Sequence, residues 1–290
     1  VGEIAAFARV MRERATRIRS DRPIVLDTCG TGGDGAGTFN ISTLAAIVAA
    51  ACGVTVAKHG NRSVSSRCGS ADLLQGLGVP IDLPAPAVEG SLRQIGIGFL
   101  FAPTLHGAMK HAAPVRRDLG VRTVFNLLGP LTNPAQARYQ LLGVYDPAWL
   151  VRMAEVLRDL GSERAMVVHG GGLDEIALHA ETQVAELSGG IVQTTTLKPE
   201  DAGLGRAPLE AIRGGDPEMN VAIAREILRG VGGPRRDVVL LNTAAALVVA
   251  GRASTLREGA ALAAGAIDSG AAAGVLERLR ELRAGQEGRA

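Results

Sequence analysis

Short apolar runs alternate with helix-length segments along most of this chain, and that alternation constrains its fold more than any other feature. Ile24-Val25-Leu26 and Val54-Thr55-Val56 read as strands, and further strands are expected at 98–101, 141–144, 165–168, 183–187 and 191–195. Helices are expected over 2–19, from about Ser42, over 71–77, and near 148–160, 217–229, 237–250, 255–268 and 272–284. Asp216-Pro217 is a helix start, an N-cap followed by proline in the first turn. Alternating strands and helices imply an α/β fold with a mostly parallel central sheet flanked by helices. Ligands of such sheets bind on the loops at the carboxyl ends of the strands. Glycine-rich loops follow strands 24–28 and 54–58, so both open on that edge. The segment 103–135, rich in helix formers and proline, interrupts the alternation and is assigned to another layer.

Composition removes several function classes. Among 290 residues, 31 Lys+Arg face 29 Asp+Glu, a formal charge of +2, so no basic field draws nucleic acid or an anionic membrane. Aromatics at 3% are too few for a row of base-stacking platforms. Cys29, Cys52 and Cys68 are odd in number and lack metal-ligand spacing, which fits a reduced, cytoplasmic setting. Arginines interrupt residues 2–19, so they do not read as a signal peptide. The uncharged run 35–57 reaches membrane-spanning length. It opens from a glycine loop and is rich in small residues, so it reads as a buried strand-loop-helix-strand stretch with no membrane role.

Four constellations carry chemistry. Residues 27–43 place Gly30, Gly32, Gly33 and Gly35 within six positions, where bare N–H groups cradle phosphate oxygens. Asn40, Ser42 and Thr43 then open a helix whose N-terminus favours anions. The spacing is neither a Walker loop nor a dinucleotide fingerprint, and a plain flexible turn is the competing reading. Residues 58–72 hold Lys58, one of three lysines, at the end of a buried strand, which calls for a bound anion or a carboxylate partner. Serines, Asn61, Arg62 and Arg67 supply donors there; Ser70 also reads as an ordinary N-cap with Asp72 in the first turn. Phe99 to Pro103, then His106, Lys110, His111, Arg116 and Arg117, suit an aromatic acid, or are a solvated basic helix face. His106 and His111 have no third zinc ligand nearby. His169 to Glu175 sets adjacent carboxylates behind a glycine loop, which suits magnesium, although acid pairs are common on surfaces. No Gly-x-Ser-x-Gly elbow supports a serine hydrolase.

In order along the chain, these segments closely resemble the anthranilate phosphoribosyltransferases. The matching motifs are DTCGTGGDG–TFNIST at 27–43, KHGNRSVSS–GSAD at 58–72, VRRDLGVRTVFNLLGPLTNPA at 115–135, VVHGGGLDE at 167–175 and GGDPEMN at 214–220. The resemblance implies a small helical domain and a larger α/β domain like that of nucleoside phosphorylases, assembled as a cytoplasmic homodimer. Residues 1–22 would be a remnant of the small domain, with 103–135 packing beside it, and 23–290 the large one. It implies transfer of the phosphoribosyl group from phosphoribosyl pyrophosphate to the anthranilate amine, with Mg2+ as cofactor. Gly30, Gly33, Asp34, Thr38, Asn40, Ile41, Ser42 and Thr43 would hold phosphoribosyl pyrophosphate. Lys58, His59, Gly60, Asn61, Arg62, Ser63, Val64, Ser65, Ser66 and Ser70 would share that task. Ser42, Asp174 and Glu175 would bind the metal; Gly30, Asn61 and Arg116 would meet anthranilate, with His106 nearby. No residue is assigned as a general acid or base. Family members usually carry several helices before the segment matching 2–19, so most of the small domain is expected to be missing from this sequence. Two other readings compete: a related transferase or nucleoside phosphorylase with another acceptor, and a non-catalytic phosphoribosyl pyrophosphate-binding protein. The KHGNRSVSS and VRRDLG segments count against the first, and the intact metal and phosphate motifs against the second.

Overall fold

Seven strands line up in one sheet: β1 Val25–Gly30, β2 Thr55–Gly60, β3 Ile97–Phe101, β4 Tyr139–Gly143, β5 Arg164–Gly170, β6 Thr182–Ser188 and β7 Ile191–Leu197. The computed structural model describes residues 1–63, 67–107, 118 and 123–283. The strand order is β3-β2-β1-β4-β5-β6-β7. The first five strands run parallel, and β6 and β7 join antiparallel. Every expected strand is present, with ends displaced by a few residues. The β6–β7 hairpin closes through Gly189 and Gly190, both left-handed at φ +56° and +80°. That is the conformation a two-residue hairpin turn needs, and glycine adopts it without strain.

The central strands are sheathed on both faces. Val25 to Cys29 of β1 are all buried, as expected of a parallel strand between helical layers. Among the described residues the helices are α1 Gly2–Arg14, α2 Ile41–Ala51, α3 Ser70–Gly76, α4 Ala85–Gln94, α5 Ala102–Leu105, α6 Phe125–Leu131, α7 Leu150–Asp159, α8 Pro217–Leu228, α9 Pro234–Val249, α10 Leu256–Asp268 and α11 Ala271–Arg280. Nine of the eleven residues of α2 are buried, because the sheet lies on one side and α9, α10 and α11 on the other. Its small alanines allow that crowding. Gly259 of α10 does the same where it crosses α9, since a Cβ there would lie 2.8 Å from Ala244 Cα. No single helix among the described residues is long and apolar enough to cross a membrane; α10 and α11 reach the length only together, across a 62° bend.

Two helical expectations need correction. The helix expected over 2–19 ends at Arg14, because Thr16 donates to Leu105 O at 2.8 Å and Ile18 to Pro134 O at 3.2 Å. Those bonds draw residues 15–18 into an extended strap and bury Ile18. Helix α4 was not expected; proline in its first turn marks it. Ala5 and Ala8 of α1 are fully buried against α6 and α7. Arg12 caps both helix ends, its Nε on Leu131 O at 2.7 Å and its Nη1 on Leu160 O at 3.2 Å. So α1 rests partly on α6, within the 103–135 segment, and partly on α7 of the α/β layer.

Candidate active site

Strand order reverses beside β1: β2 and β3 build outward on one side, β4 and β5 on the other. A crevice therefore opens between the carboxyl ends of β1 and β4, where such sheets take their ligands. Gly30 and Gly143 end these strands and stand in register. Both are required to be glycine, because the loop carrying Asp174 presses against both strand ends. A Cβ on Gly30 would lie 2.2 Å from Asp174 Oδ2, and one on Gly143 1.5 Å from Asp174 O.

The 169–175 turn is held from several sides. His169 Nδ1 lies 2.8 Å from Val144 O, and Gly170 and Leu173 close a small antiparallel bridge over left-handed Gly171 and Gly172. Leu173 is fully buried, and Asn242 of α9 clasps the main chain of Ile176 through both its N–H and its carbonyl. The two carboxylates reach opposite parts of the first glycine loop. Gly32 N donates to Asp174 Oδ2 at 2.6 Å, and Ser42 N donates to Glu175 Oε1 at 3.1 Å. Asp34 Oδ2 accepts from Asp174 N at 3.4 Å.

Burial pushes both carboxyls above their usual range, and the neighbouring acids add to it, Asp34 on Asp174 and Asp174 on Glu175. Lys58 pulls Glu175 back the other way. Crowded anions of this kind call for a cation. Among the described residues no three His, Cys, Asp or Glu side chains form a closed cage. Two carboxylates, one on Gly32 N and the other on Ser42 N, instead suit a hard ion that keeps waters and takes phosphate oxygens. Asp174 and Glu175 are half-buried and bonded to the glycine loop, unlike a solvated surface pair.

In the first loop Gly32, Gly33, Gly35 and Gly37 are all left-handed. Thr38 pairs with Arg213 in an isolated bridge. The side chains of Ile41 and Thr43 are turned into the core, so only their main chain faces the loop. Asn40 donates to Cys68 O at 3.0 Å, which ties the first loop to the second.

The second loop rests on a buried polar cluster. Lys58 is 3% exposed; its Nζ donates to His59 O at 3.4 Å, and its charge lowers Asp27 and Glu175 without forming an ion pair with either. Asp27 accepts from His59 N at 3.2 Å and from Asn133 Nδ2 at 2.8 Å; the same Nδ2 also reaches Ala57 O at 2.8 Å. His59 and His106 meet ring to ring, Nε2 to Nε2 at 3.2 Å, both buried. Burial and the neighbouring His106 and Lys58 push His59 down to about 3, and burial lowers His106 as well. Both rings are therefore neutral at pH 7, one donating and one accepting. A histidine that stays neutral when folded and takes a proton when unfolded contributes stability above about pH 6.5 that is lost as the pH falls toward 3. Stability measured by denaturant for the parent and for His59→Gln should therefore converge on acidification, the gap closing by about 2 kcal/mol between pH 6.5 and 5. A constant gap would mean that His59 is protonated in the fold.

Gly60 leaves room for Ser70 Oγ and the Phe99 ring, and Asn61 N donates to Ser70 Oγ at 3.2 Å. Ser70 is not the N-cap of α3: Gly69 is, and Asp72 closes the turn by accepting from Gly69 N at 2.9 Å and Ser63 N at 3.0 Å. Asp72 also pairs with Arg62 at 2.9 Å. Val64, Ser65, Ser66 and Arg116 lie outside the described residues. Asp27, Asn133, Gly143, Asn220 and Asn242 were not anticipated as site residues. A carboxylate inside an apolar strand and an asparagine inside an apolar helix were the available signals for Asp27 and Asn242.

Comparison with known proteins agrees with this fold. Residues 22–273 match the glycosyl transferase family, a/b domain. The chain is 59% identical to an anthranilate phosphoribosyltransferase of Symbiobacterium thermophilum, over 97% of this chain and 83% of that protein. A crystal structure of the enzyme of that name from Thermus thermophilus superposes with a TM-score of 0.92 at 54% identity, covering 97% of this chain and 84% of that one. The Saccharomyces cerevisiae enzyme, solved in complex with PRPP and Mg, superposes with a TM-score of 0.87 at 32% identity, over 95% of this chain and 78% of that one.

Proposed function

The chain belongs to the anthranilate phosphoribosyltransferase family, and from that premise we propose that the crevice between β1 and β4 is where phosphoribosyl pyrophosphate meets anthranilate. The observation that carries this reading is the seating of Asp174 and Glu175 against the first glycine loop. Gly30, Gly33, Asp34, Thr38 and the 40–43 turn would receive the phosphoribosyl pyrophosphate, joined by the 58–66 segment and Ser70. Ser42, Asp174 and Glu175 would hold Mg2+, which when bound supplies charge neutralisation for the departing pyrophosphate. Arg116 and Asn61, with Gly30, would seat anthranilate by its carboxylate and ring, and His106 would support that wall through His59.

The hard part of the transfer is charge separation, as the ribose gains oxocarbenium character while pyrophosphate leaves. Fixed loop N–H groups stabilise that charge without reorganising. An aromatic amine is neutral at pH 7 and attacks without prior deprotonation. His59, pushed down to about 3 and already bonded to His106, is not the group that takes the amine proton. Arg116 and Asn61 then act by holding the amine in line, which lowers a bimolecular barrier substantially.

The test follows anthranilate fluorescence with phosphoribosyl pyrophosphate and Mg2+, with and without a chelator. Loss of signal that the chelator abolishes is the expected result; no loss would overturn the reading. Arg116→Ala should raise the KM for anthranilate about tenfold or more, the loss of a charge-assisted bond, and leave that for phosphoribosyl pyrophosphate unchanged. A normal anthranilate KM would remove Arg116 from the site. We read the assembly as a homodimer and the compartment as the cytoplasm, the former to be checked by sedimentation.

A further inference from the structure

The segment 213–220 lies outside the crevice, yet it is fastened along the back of the first glycine loop. Arg213 pairs with Thr38, and Gly214 N donates to Gly37 O at 2.9 Å. Gly214 is pressed so close that a Cβ would lie 2.6 Å from Phe39 Cα. At its end, in the first turn of α8, stands Asn220, a polar side chain 3% exposed.

Asn220 Oδ1 accepts from Gly215 N at 2.8 Å, and its Nδ2 donates to Asn40 Oδ1 at 3.1 Å. Asn40 Nδ2 in turn donates to Cys68 O at 3.0 Å. This relay begins at a main-chain N–H, which can only donate, and ends at a main-chain carbonyl, which can only accept. Both amides therefore have a single possible orientation. The two asparagines span three separate parts of the chain and set the spacing between the first loop and the turn that starts α3.

We infer that Asn220 is a positioning residue for the phosphoribosyl pyrophosphate site, acting through Asn40 to fix the first loop against the second. This rests on the reading of the crevice given above. Asn220→Asp is the sharp variant. It keeps the shape and the bond from Gly215 N but turns a carboxylate oxygen on Asn40 Oδ1. Asn40 must then flip, which puts its own oxygen against Cys68 O.

The experiment measures binding of phosphoribosyl pyrophosphate with Mg2+ by calorimetry, alongside steady-state kinetics, for the parent, Asn220→Asp, Asn40→Ala and the double variant. Asn220→Ala is a second probe, and circular dichroism reports folding. Asn220→Asp and Asn40→Ala should each weaken binding about five- to tenfold, the worth of one hydrogen bond. The double variant should be no weaker than the weaker single, because both act on one relay. The KM for phosphoribosyl pyrophosphate should rise, with kcat and the KM for anthranilate nearly unchanged; a role in stability alone would not split them so. Folded Asn220 variants that bind as the parent does, or effects that multiply in the double variant, would overturn the inference alone. A parent that binds no phosphoribosyl pyrophosphate would overturn the functional reading and this inference with it.

Discussion

Replacing Asp174 by Asn and Glu175 by Gln together should cut turnover by a factor on the order of a thousand and abolish its dependence on Mg2+. The same change should raise the unfolding temperature of the metal-free protein. The activity loss follows from removing both acidic oxygen sets that face the glycine loop, a change of several kcal/mol in the stabilisation of a departing anion. The stability gain follows from linkage. Both folded carboxyls lie above their ordinary values, so the native state holds protons that the unfolded chain has released. Their contribution is favourable at low pH and is lost as the pH rises from about 4 through the folded values. Neutral amides remove that cost, while the amide oxygen introduced by Asp174→Asn can still accept from Gly32 N. Added Mg2+ should stabilise the parent and leave the variant unmoved. Thermal unfolding with and without Mg2+, at pH 6 and pH 8, measures both effects; a variant that still responds to the metal would refute the assignment.

Much of the frame was legible in residue order. The alternation of apolar runs with helices located all seven strands of the sheet, and the uncharged stretch 35–57 resolved into loop, buried helix and strand, without the leading strand expected there, because left-handed Gly35 and Gly37 keep its start a loop. The glycine clusters do follow the carboxyl ends of β1 and β2, the edge where parallel sheets carry their ligand loops. What stayed hidden depends on long-range contact. Nothing local distinguishes Gly143 from a turn glycine, because its requirement comes from Asp174, far along the chain. Asn133 and Asn220 each sit close to proline or glycine and look like turn formers, but tertiary packing makes them hydrogen-bond ties to Asp27 and Asn40. The β6–β7 hairpin was there to be read in Ser188-Gly189-Gly190, a two-glycine turn between alternating runs. Helix α1 was overextended because its apolar spacing continues past Arg14, whereas the bonds of Thr16 and Ile18 to Leu105 and Pro134 decide the backbone.

Gly143→Ala should be the most damaging added methyl among the described glycines. Adding a Cβ at 1.5 Å from Asp174 O leaves no room for both groups, and the obstacle is main chain, which cannot rotate away. Either β4 moves, breaking its register with Gly30, or the 169–175 turn lifts out of the crevice. Strand β4 is paired on both sides, to β1 and β5, whereas the turn is held chiefly by His169, Leu173 and Asn242. The turn should therefore give way and carry Asp174 off Gly32 N. Turnover should fall at least about a hundredfold, with Mg2+ affinity falling in parallel, and overpacking should cost about 1 to 3 kcal/mol of stability. Gly265→Ala is the matched control: it lies inside α10 with nothing within 4 Å, and should gain about 0.5 to 1 kcal/mol with activity intact. Metal titration by calorimetry and denaturant unfolding of the two variants decide the matter. If Gly143→Ala binds Mg2+ as tightly as the parent, the turn is not what places Asp174, and the crevice must accommodate the methyl by shifting the strands instead.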